Sequence, residues 1–338
     1  MCIRHLLVRG FTTAALLGAA VHAVAAELTP QQIYERAAPA VVLVIGHSEQ
    51  GGNGSGGTGS IIRKDGLVLT NAHVVIDEQT GKPYPRLSVF LKPDRVTGNP
   101  KTDLARRVKA TVVAFHRTMD LALLKMEDPP PSLPVLELGD PDRVKIGERV
   151  VAIGHPEQGG LWTLTTGVIS AEFDDFNNTQ GKHVFQTETG LNRGNSGGPL
   201  LDAQGRIIGV NTAIARLAPD GLPITSISFA LKASVARSWL SNQAVPVEYA
   251  EDFPVQPGRP LIPAQAPVAP TPPESATPTP PAPAAPAPLA SPSTPPKPRV
   301  HTEVRPYDLD GLIRSMSREE QDLDQMMKEM RQKAQPRP

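Results

Sequence analysis

One serine stands out for its surroundings: Ser196 lies in Gly194-Asn195-Ser196-Gly197-Gly198-Pro199-Leu200. A serine hydroxyl is a weak nucleophile until a base takes its proton and donors meet the oxyanion it creates. Glycines at 194, 197 and 198 give the turn backbone freedom and allow close approach. The N–H groups of Gly194 and Ser196, with Asn195 between them, can therefore form an oxyanion-binding turn. The base is read as His73, where the apolar run Leu69-Thr70-Asn71-Ala72-His73-Val74-Val75 meets a polar corner. Asp120, heading the apolar run Leu121 to Leu124, is read as the acid that holds the imidazole in one tautomer. Together these three types can transfer an acyl group through serine.

The chain order His, Asp, Ser is that of the chymotrypsin type and differs from the α/β-hydrolase and subtilisin orders. Across residues 27 to 240 the chain resembles the HtrA/Deg branch of the trypsin-like serine proteases. The matching segments, in order, are Gly56 to Ile62, Leu69 to Val75, Asp120 to Lys125, Val150 to Pro156, Gly167 to Ser170, and Asn192 to Leu200 followed by Gly209 to Ala213. That resemblance implies an all-β domain of two six-stranded β-barrels with the catalytic groups in the cleft between them. It also implies an endopeptidase that cuts unfolded or damaged polypeptide and needs no cofactor. Gly190 stands where relatives that cut after Lys or Arg place an acid, and Leu191 follows it. Ser228, Phe229 and Ala230 are expected along one wall of the specificity pocket, which then suits a small or medium aliphatic residue. Relatives are commonly trimeric, so a homo-oligomer is expected, and commonly carry a PDZ domain, for which this chain has no room. Asn195 replaces the acid that pairs with a newly cut N-terminus in digestive relatives, which speaks against activation by pro-peptide cleavage. The alternative is a chaperone-like module that holds clients on a protease fold and cuts little.

The elements that must position these groups are legible as short apolar runs. Val41 to Ile45, Gly59 to Ile62, Leu67 to Thr70, Leu87 to Leu91, Val108 to Ala114 and Leu121 to Met126 precede a second set. That set is Val150 to Ile153, Leu161 to Ile169, Val184 to Glu188, Pro199 to Leu201, Ile207 to Ala213 and Ser226 to Ala230. A dozen short strands separated by turn residues mark a sandwich or barrel. Thr29-Pro30-Gln31-Gln32 reads as a capping box opening a helix to Ala38, and Lys232 to Gln243 as a closing helix. The polar stretch Glu78 to Ala105 lengthens the His73–Asp120 separation and reads as a surface insertion.

Both ends of the chain differ in character. Residues 1–26 hold Arg4 and Arg9, an apolar stretch, no acid, and Ala23-Val24-Ala25-Ala26, which is the pattern of a secretory signal peptide. An uncleaved anchor is the alternative, although the segment is short of the ~20 apolar residues a span needs. Cys2, the only cysteine, leaves with the signal, and a periplasmic or secreted protein without disulfides remains. Residues 27–250 form the globular domain. Residues 251–305 are a Pro-rich linker, 18 of the 37 prolines falling between 251 and 300. In 306–335, Leu309, Met316, Leu323 and Met330 recur at seven-residue spacing, giving a C-terminal helix with one apolar stripe. Either it docks on its own domain or is transiently helical, or it captures a partner or a second copy.

Other readings fall away on context. With Arg4 and Arg9 removed, 32 cations face 34 anions, so no basic field for nucleic acid or membrane exists. Gly54-Ser55-Gly56-Gly57-Thr58-Gly59 fits a dinucleotide fingerprint but leads into Ile61-Ile62, not a helix, and reads as a flexible surface loop. His47, His116, His155 and His183 lack ligand spacing, so no metal is expected, and each reads as a surface or edge-strand residue. Asp77, Asp94 and Asp103 rival Asp120 but lie in turn-like sequence, where solvation is expected.

Overall fold

Twelve strands close into two barrels in a computed structural model that describes residues 27–48, 54–157, 159–214, 227–250 and 311–316. The expected signal peptide, the Pro-rich linker and the C-terminal helix beyond residue 316 lie outside the described residues. The first barrel comprises β1 (Val41–His47), β2 (Gly54–Arg63), β3 (Leu67–Thr70), β4 (Arg86–Leu91), β5 (Arg107–His116) and β6 (Leu121–Met126), in the closed order β1-β2-β3-β6-β5-β4. The second comprises β7 (Arg149–Gly154), β8 (Thr163–Phe173), β9 (Val184–Thr187), β10 (Pro199–Leu201), β11 (Ile207–Ile214) and β12 (Ser228–Lys232), in the order β10-β11-β12-β9-β8-β7. All pairings are antiparallel, and closure removes the unpaired edges that an open sheet exposes.

Local chemistry explains the ends of the domain. Helix α1 (Pro30–Ala37) opens with the expected capping box: Thr29 Oγ1 accepts from the Gln32 N–H, and Gln32 Oε1 accepts from the Thr29 N–H. Ile33 and Ala37 are its buried face. The single turns α2 (Ala72–Val75) and α3 (Pro100–Asp103) sit inside the first barrel's connections, and α4 (Ala233–Asn242) closes the chain's second barrel with Ala236, Trp239 and Leu240 buried. The helical stretch 311–316 buries Ile313 to 3% exposure. It packs on the β1–β2 rim, where a Cβ added to Gly54 would lie 2.6 Å from Ile313 Cγ2. For these six residues, docking on the chain's own domain is the arrangement observed.

Two expectations are corrected here. The glycine-rich 54–59 segment is the first half of β2 and pairs in register from His47↔Gly54 to Val42↔Gly59, so it is no flexible loop. Its glycines serve proximity: a Cβ on Gly57 would lie 2.6 Å from Val74 Cγ2 and 2.9 Å from the Ser196 carbonyl oxygen. Strand pairing then overrides the weak intrinsic preference of glycine. Asp103 is buried rather than solvated, because its carboxylate accepts from Thr97 N–H, Thr97 Oγ1 and Gly98 N–H and so ties the inserted loop together.

A polar seam joins the barrels. The Trp162 indole N–H donates to the Val41 carbonyl at 2.8 Å. Thr58 of β2 donates its hydroxyl proton to the Gly194 carbonyl at 2.6 Å and accepts the His155 backbone N–H at 3.2 Å. His155 Nδ1 lies 3.0 Å from the same hydroxyl, and since that proton is spent on Gly194, Nδ1 must be the donor. The other nitrogen, Nε2, is buried with no hydrogen-bond partner, and the ring stands edge-on to Trp162 at 4.8 Å. His155 and His47 are thus interior residues, not the surface or edge positions expected.

Burial pulls the His155 imidazole down from 6.5 to about 3, because a second N–H would enter a dry site with no acceptor. Below about pH 6.5 the unfolded chain takes up a proton that the folded domain refuses, so this contribution to stability is complete above that pH and is lost as pH falls toward 3. Denaturant titrations should show a loss of about 1.4 kcal/mol per pH unit from this group between pH 6 and 4. His155→Asn, which cannot titrate, should flatten that slope, and an unchanged slope would remove His155 as its source.

Candidate active site

The strand register brings distant residues together. β3 pairs with β6 so that Thr70 faces Ala122, which sets the start of α2 beside the turn that ends at Asp120. His73 therefore meets an acid that is 47 positions away in sequence. Buried Val74 and Val75 anchor the single turn of α2 in the core, while the His73 side chain keeps 40% exposure. Asp120 ends a turn closed by its own N–H on the Arg117 carbonyl and adopts φ +57°, a left-handed conformation that acidic residues tolerate better than most. The buried Asn71 secures it by donating Nδ2–H to the Asp120 carbonyl at 2.7 Å.

Three donors converge on the Asp120 carboxylate. The His73 backbone N–H reaches Oδ1 at 3.0 Å, the ring Nδ1–H reaches Oδ2 at 2.8 Å, and the Thr212 hydroxyl reaches Oδ2 at 2.7 Å. Burial pushes the carboxyl up, but the hydrogen bond and charge of His73, the Thr212 hydroxyl and the His73 amide outweigh it, so Asp120 titrates below the usual carboxylate range. An ionised carboxylate accepts at Nδ1–H and leaves Nε2 as the unprotonated, basic nitrogen. Thr212 belongs to β11, so the acid of the first barrel is held by the second. Its role was not assigned from the sequence: Thr212 sits inside the Gly209 to Ala213 segment, but nothing local marks its hydroxyl as a partner of Asp120.

The turn carrying Ser196 is fixed on both sides. The Gly197 N–H donates to the Asn211 carbonyl at 2.8 Å, the Gly198 N–H to Asn195 at 3.0 Å, and the Thr58 N–H to the Ser196 carbonyl at 2.8 Å. Gly194 and Gly197 have φ of +92° and +82°. A Cβ on Gly194 would overlap the His155 carbonyl, and one on Gly197 would overlap Thr70 Oγ1 and the Thr58 carbonyl. Gly197 thereby abuts the end of β3, just ahead of His73. Among the described residues, the Ser196 hydroxyl and His73 Nε2 make no hydrogen bond to each other or to any other group. Such contacts are often long before substrate arrives.

Backbone donors in this turn divide cleanly. The N–H of Asn195 is spent on the Asn192 carbonyl at 3.0 Å, and its side chain is buried against Gly154, so Asn195 offers no donor to the cleft. The N–H groups of Gly194 and Ser196 meet no protein acceptor among the described residues. Two unspent amides beside a hydroxyl are what an oxyanion requires.

The expected specificity residues separate. Gly190 is exposed, and a Cβ built there meets nothing within 4 Å. Leu191 borders the second-barrel core. Ser228 is buried and donates its hydroxyl to the Thr189 carbonyl at 3.1 Å, next to Gly190. Ala230 is fully buried in the barrel core. Phe229, on the opposite face of β12, packs against Phe176 at 4.7 Å and Phe173 at 6.2 Å. Of the rival acids, Asp77 caps its own turn through the Gln79 and Thr80 amides, and Asp94 is exposed. No group of His, Cys, Asp and Glu among the described residues is arranged to hold a metal ion.

The trypsin-like peptidase domain matches residues 57–210. A "Probable periplasmic serine endoprotease DegP-like" of Brucella suis is 34% identical over 206 residues, covering 56% of this chain and 36% of the relative. The "Magnetosome formation protease MamE" of Paramagnetospirillum magneticum is 34% identical over 189 residues, covering 55% and 23%. The chain thus spans about a third or less of the length of these relatives. Among solved structures, the "HtrA-type protease AlgW with tripeptide" superposes with a TM-score of 0.52 at 30% identity, covering 64% of each chain. Residues 57–210 thus match a trypsin-like peptidase domain, and over that domain the chain is similar to proteases of the HtrA type.

Proposed function

We propose that this chain is an exported endopeptidase that hydrolyses unfolded polypeptide with Ser196 as nucleophile, His73 as general base and Asp120 as its orienting acid. The observation that carries the reading is the combination of a carboxylate holding His73 Nδ1–H and two unspent amides flanking Ser196. Ser196 Oγ attacks the scissile carbonyl carbon while its proton passes to His73 Nε2. The resulting oxyanion is met by the N–H groups of Gly194 and Ser196. The C–N bond then breaks as the imidazolium returns the proton to the leaving amine, giving an acyl-enzyme. Water repeats the sequence: His73 takes its proton, the acyl group leaves as a carboxylic acid, and Ser196 is restored. Asp120 stays ionised throughout and stabilises the imidazolium. Export and a polypeptide substrate are supported by the relatives named periplasmic endoproteases and by the peptide bound to AlgW.

Purified protein should be labelled by a peptidyl phosphonate at Ser196, read as a mass shift on the peptide containing that residue. Ser196→Ala should lower casein cleavage on the order of 10⁴-fold or more without changing the fold. Absence of labelling together with retained casein binding would replace the peptidase by a chaperone-like holder.

Thr212→Val removes one donor to a charged acceptor and should lower kcat about 10-fold, with KM little changed. An unaltered kcat would show that Asp120 needs no help from the second barrel. Gly190→Asp places a carboxylate in open space at the expected pocket, and should move the preferred residue before the cut from aliphatic to Lys or Arg in a peptide-library assay. No shift would remove Gly190 from the pocket.

A further inference from the structure

Glu157 follows β7 by three residues and touches residue 193 twice. Its backbone N–H donates to the Arg193 carbonyl at 2.6 Å, and its carboxylate Oε2 lies 3.4 Å from Arg193 Nε. The Glu157 side chain is 20% exposed and that of Arg193 64%, so the ion pair is sheltered on one side only.

The carbonyl of Arg193 and the N–H of Gly194 belong to one peptide unit. In a trans peptide these groups point in opposite directions, and no cis bond occurs among the described residues. Holding the carbonyl on Glu157 therefore aims the Gly194 N–H away from Glu157, and that N–H is one of the two unspent donors. Rotating the unit by half a turn would replace the donor by a carbonyl oxygen, whose partial negative charge repels a developing oxyanion.

Neighbouring units have no such freedom. The Gly194 carbonyl is bound by the Thr58 hydroxyl, the Asn195 N–H by the Asn192 carbonyl, and the Arg193 N–H by Asn192 Oδ1 at 3.0 Å. Glycine at 194 offers little steric resistance to rotation of the unit before it. The orientation of that single unit thus rests on what grips its carbonyl.

We infer that Glu157 is a positioning residue that latches the Arg193–Gly194 peptide in its donor orientation, through its amide and through the ion pair with Arg193. The domain then carries a formed oxyanion site without a bound effector. The inference rests on the peptidase reading above, because the latched N–H is one of the two donors assigned there.

The test compares wild type with Glu157→Ala, Glu157→Gln, Arg193→Ala and the swapped pair Glu157→Arg with Arg193→Glu. Peptide hydrolysis and the phosphonate inactivation rate should both fall about 10-fold in Glu157→Ala and Arg193→Ala. KM should stay within two-fold and the melting temperature should not change. Glu157→Gln, which keeps the shape and loses the charge, should lie between, and the swapped pair should recover most of the loss. The Gly194 amide resonance in isotopically labelled protein supplies a readout independent of turnover: one sharp signal in wild type, and a doubled or broadened one in Glu157→Ala. A kcat in Glu157→Ala within two-fold of wild type, or an unchanged Gly194 resonance, overturns the latch. A wild-type protein that ignores the phosphonate overturns the peptidase reading instead, and the Gly194 resonance still decides whether Glu157 sets the peptide.

Discussion

The carboxylate of Asp120 is the joint on which the structure turns. It receives two hydrogen bonds from His73 in the first barrel and one from Thr212 in the second. A largely buried anion of this kind is costly unless its oxygens are satisfied. Both oxygens are, and the outcome is an acid that stays charged. The same bonds set the imidazole tautomer, so the requirement for a satisfied anion and the requirement for a free basic nitrogen are met by one arrangement.

The seam follows from the same need for closeness. Thr58 has a single hydroxyl proton, and it goes to the Gly194 carbonyl, while His155 supplies donors to the oxygen. The cluster spans β2, the end of β7 and the Ser196 turn, and it leaves one imidazole nitrogen dry. Side chains at 57, 194 or 197 would force these elements apart, which is why glycine occupies all three positions.

Much of this was legible in the sequence. β3, β6 and β10 begin and end where their apolar runs do, and the α1 capping box is present as read from Thr29 and Gln32. The residues proposed for catalysis were recognisable because each lies in a distinctive local segment. Less legible were features created by pairing at a distance. Gly54 to Gly59 looks flexible in isolation and becomes a strand only when β1 lies beside it. Asp103 looks solvated until Thr97 and Gly98 fold over it. Thr212 and Glu157 carry no local mark at all, since their partners come from the turn before β6 and from the loop leading into the Ser196 turn. Asn195 sits between two free donors, but its own amide faces inward to Asn192.

Ile313 on the β1–β2 rim also has a topological consequence. Ala250 donates its N–H to the Leu138 carbonyl, and residues 311–316 rest on the same domain, so the positions flanking 251–310 in sequence are both held on it. A single nick between residues 251 and 310 would leave two polypeptides still associated through the seat of Ile313. Before the nick, covalent linkage keeps the segment at high effective concentration over its seat. Afterward, retention depends on ordinary bimolecular affinity. One backbone scission could therefore turn a permanent attachment into a dilution-sensitive one.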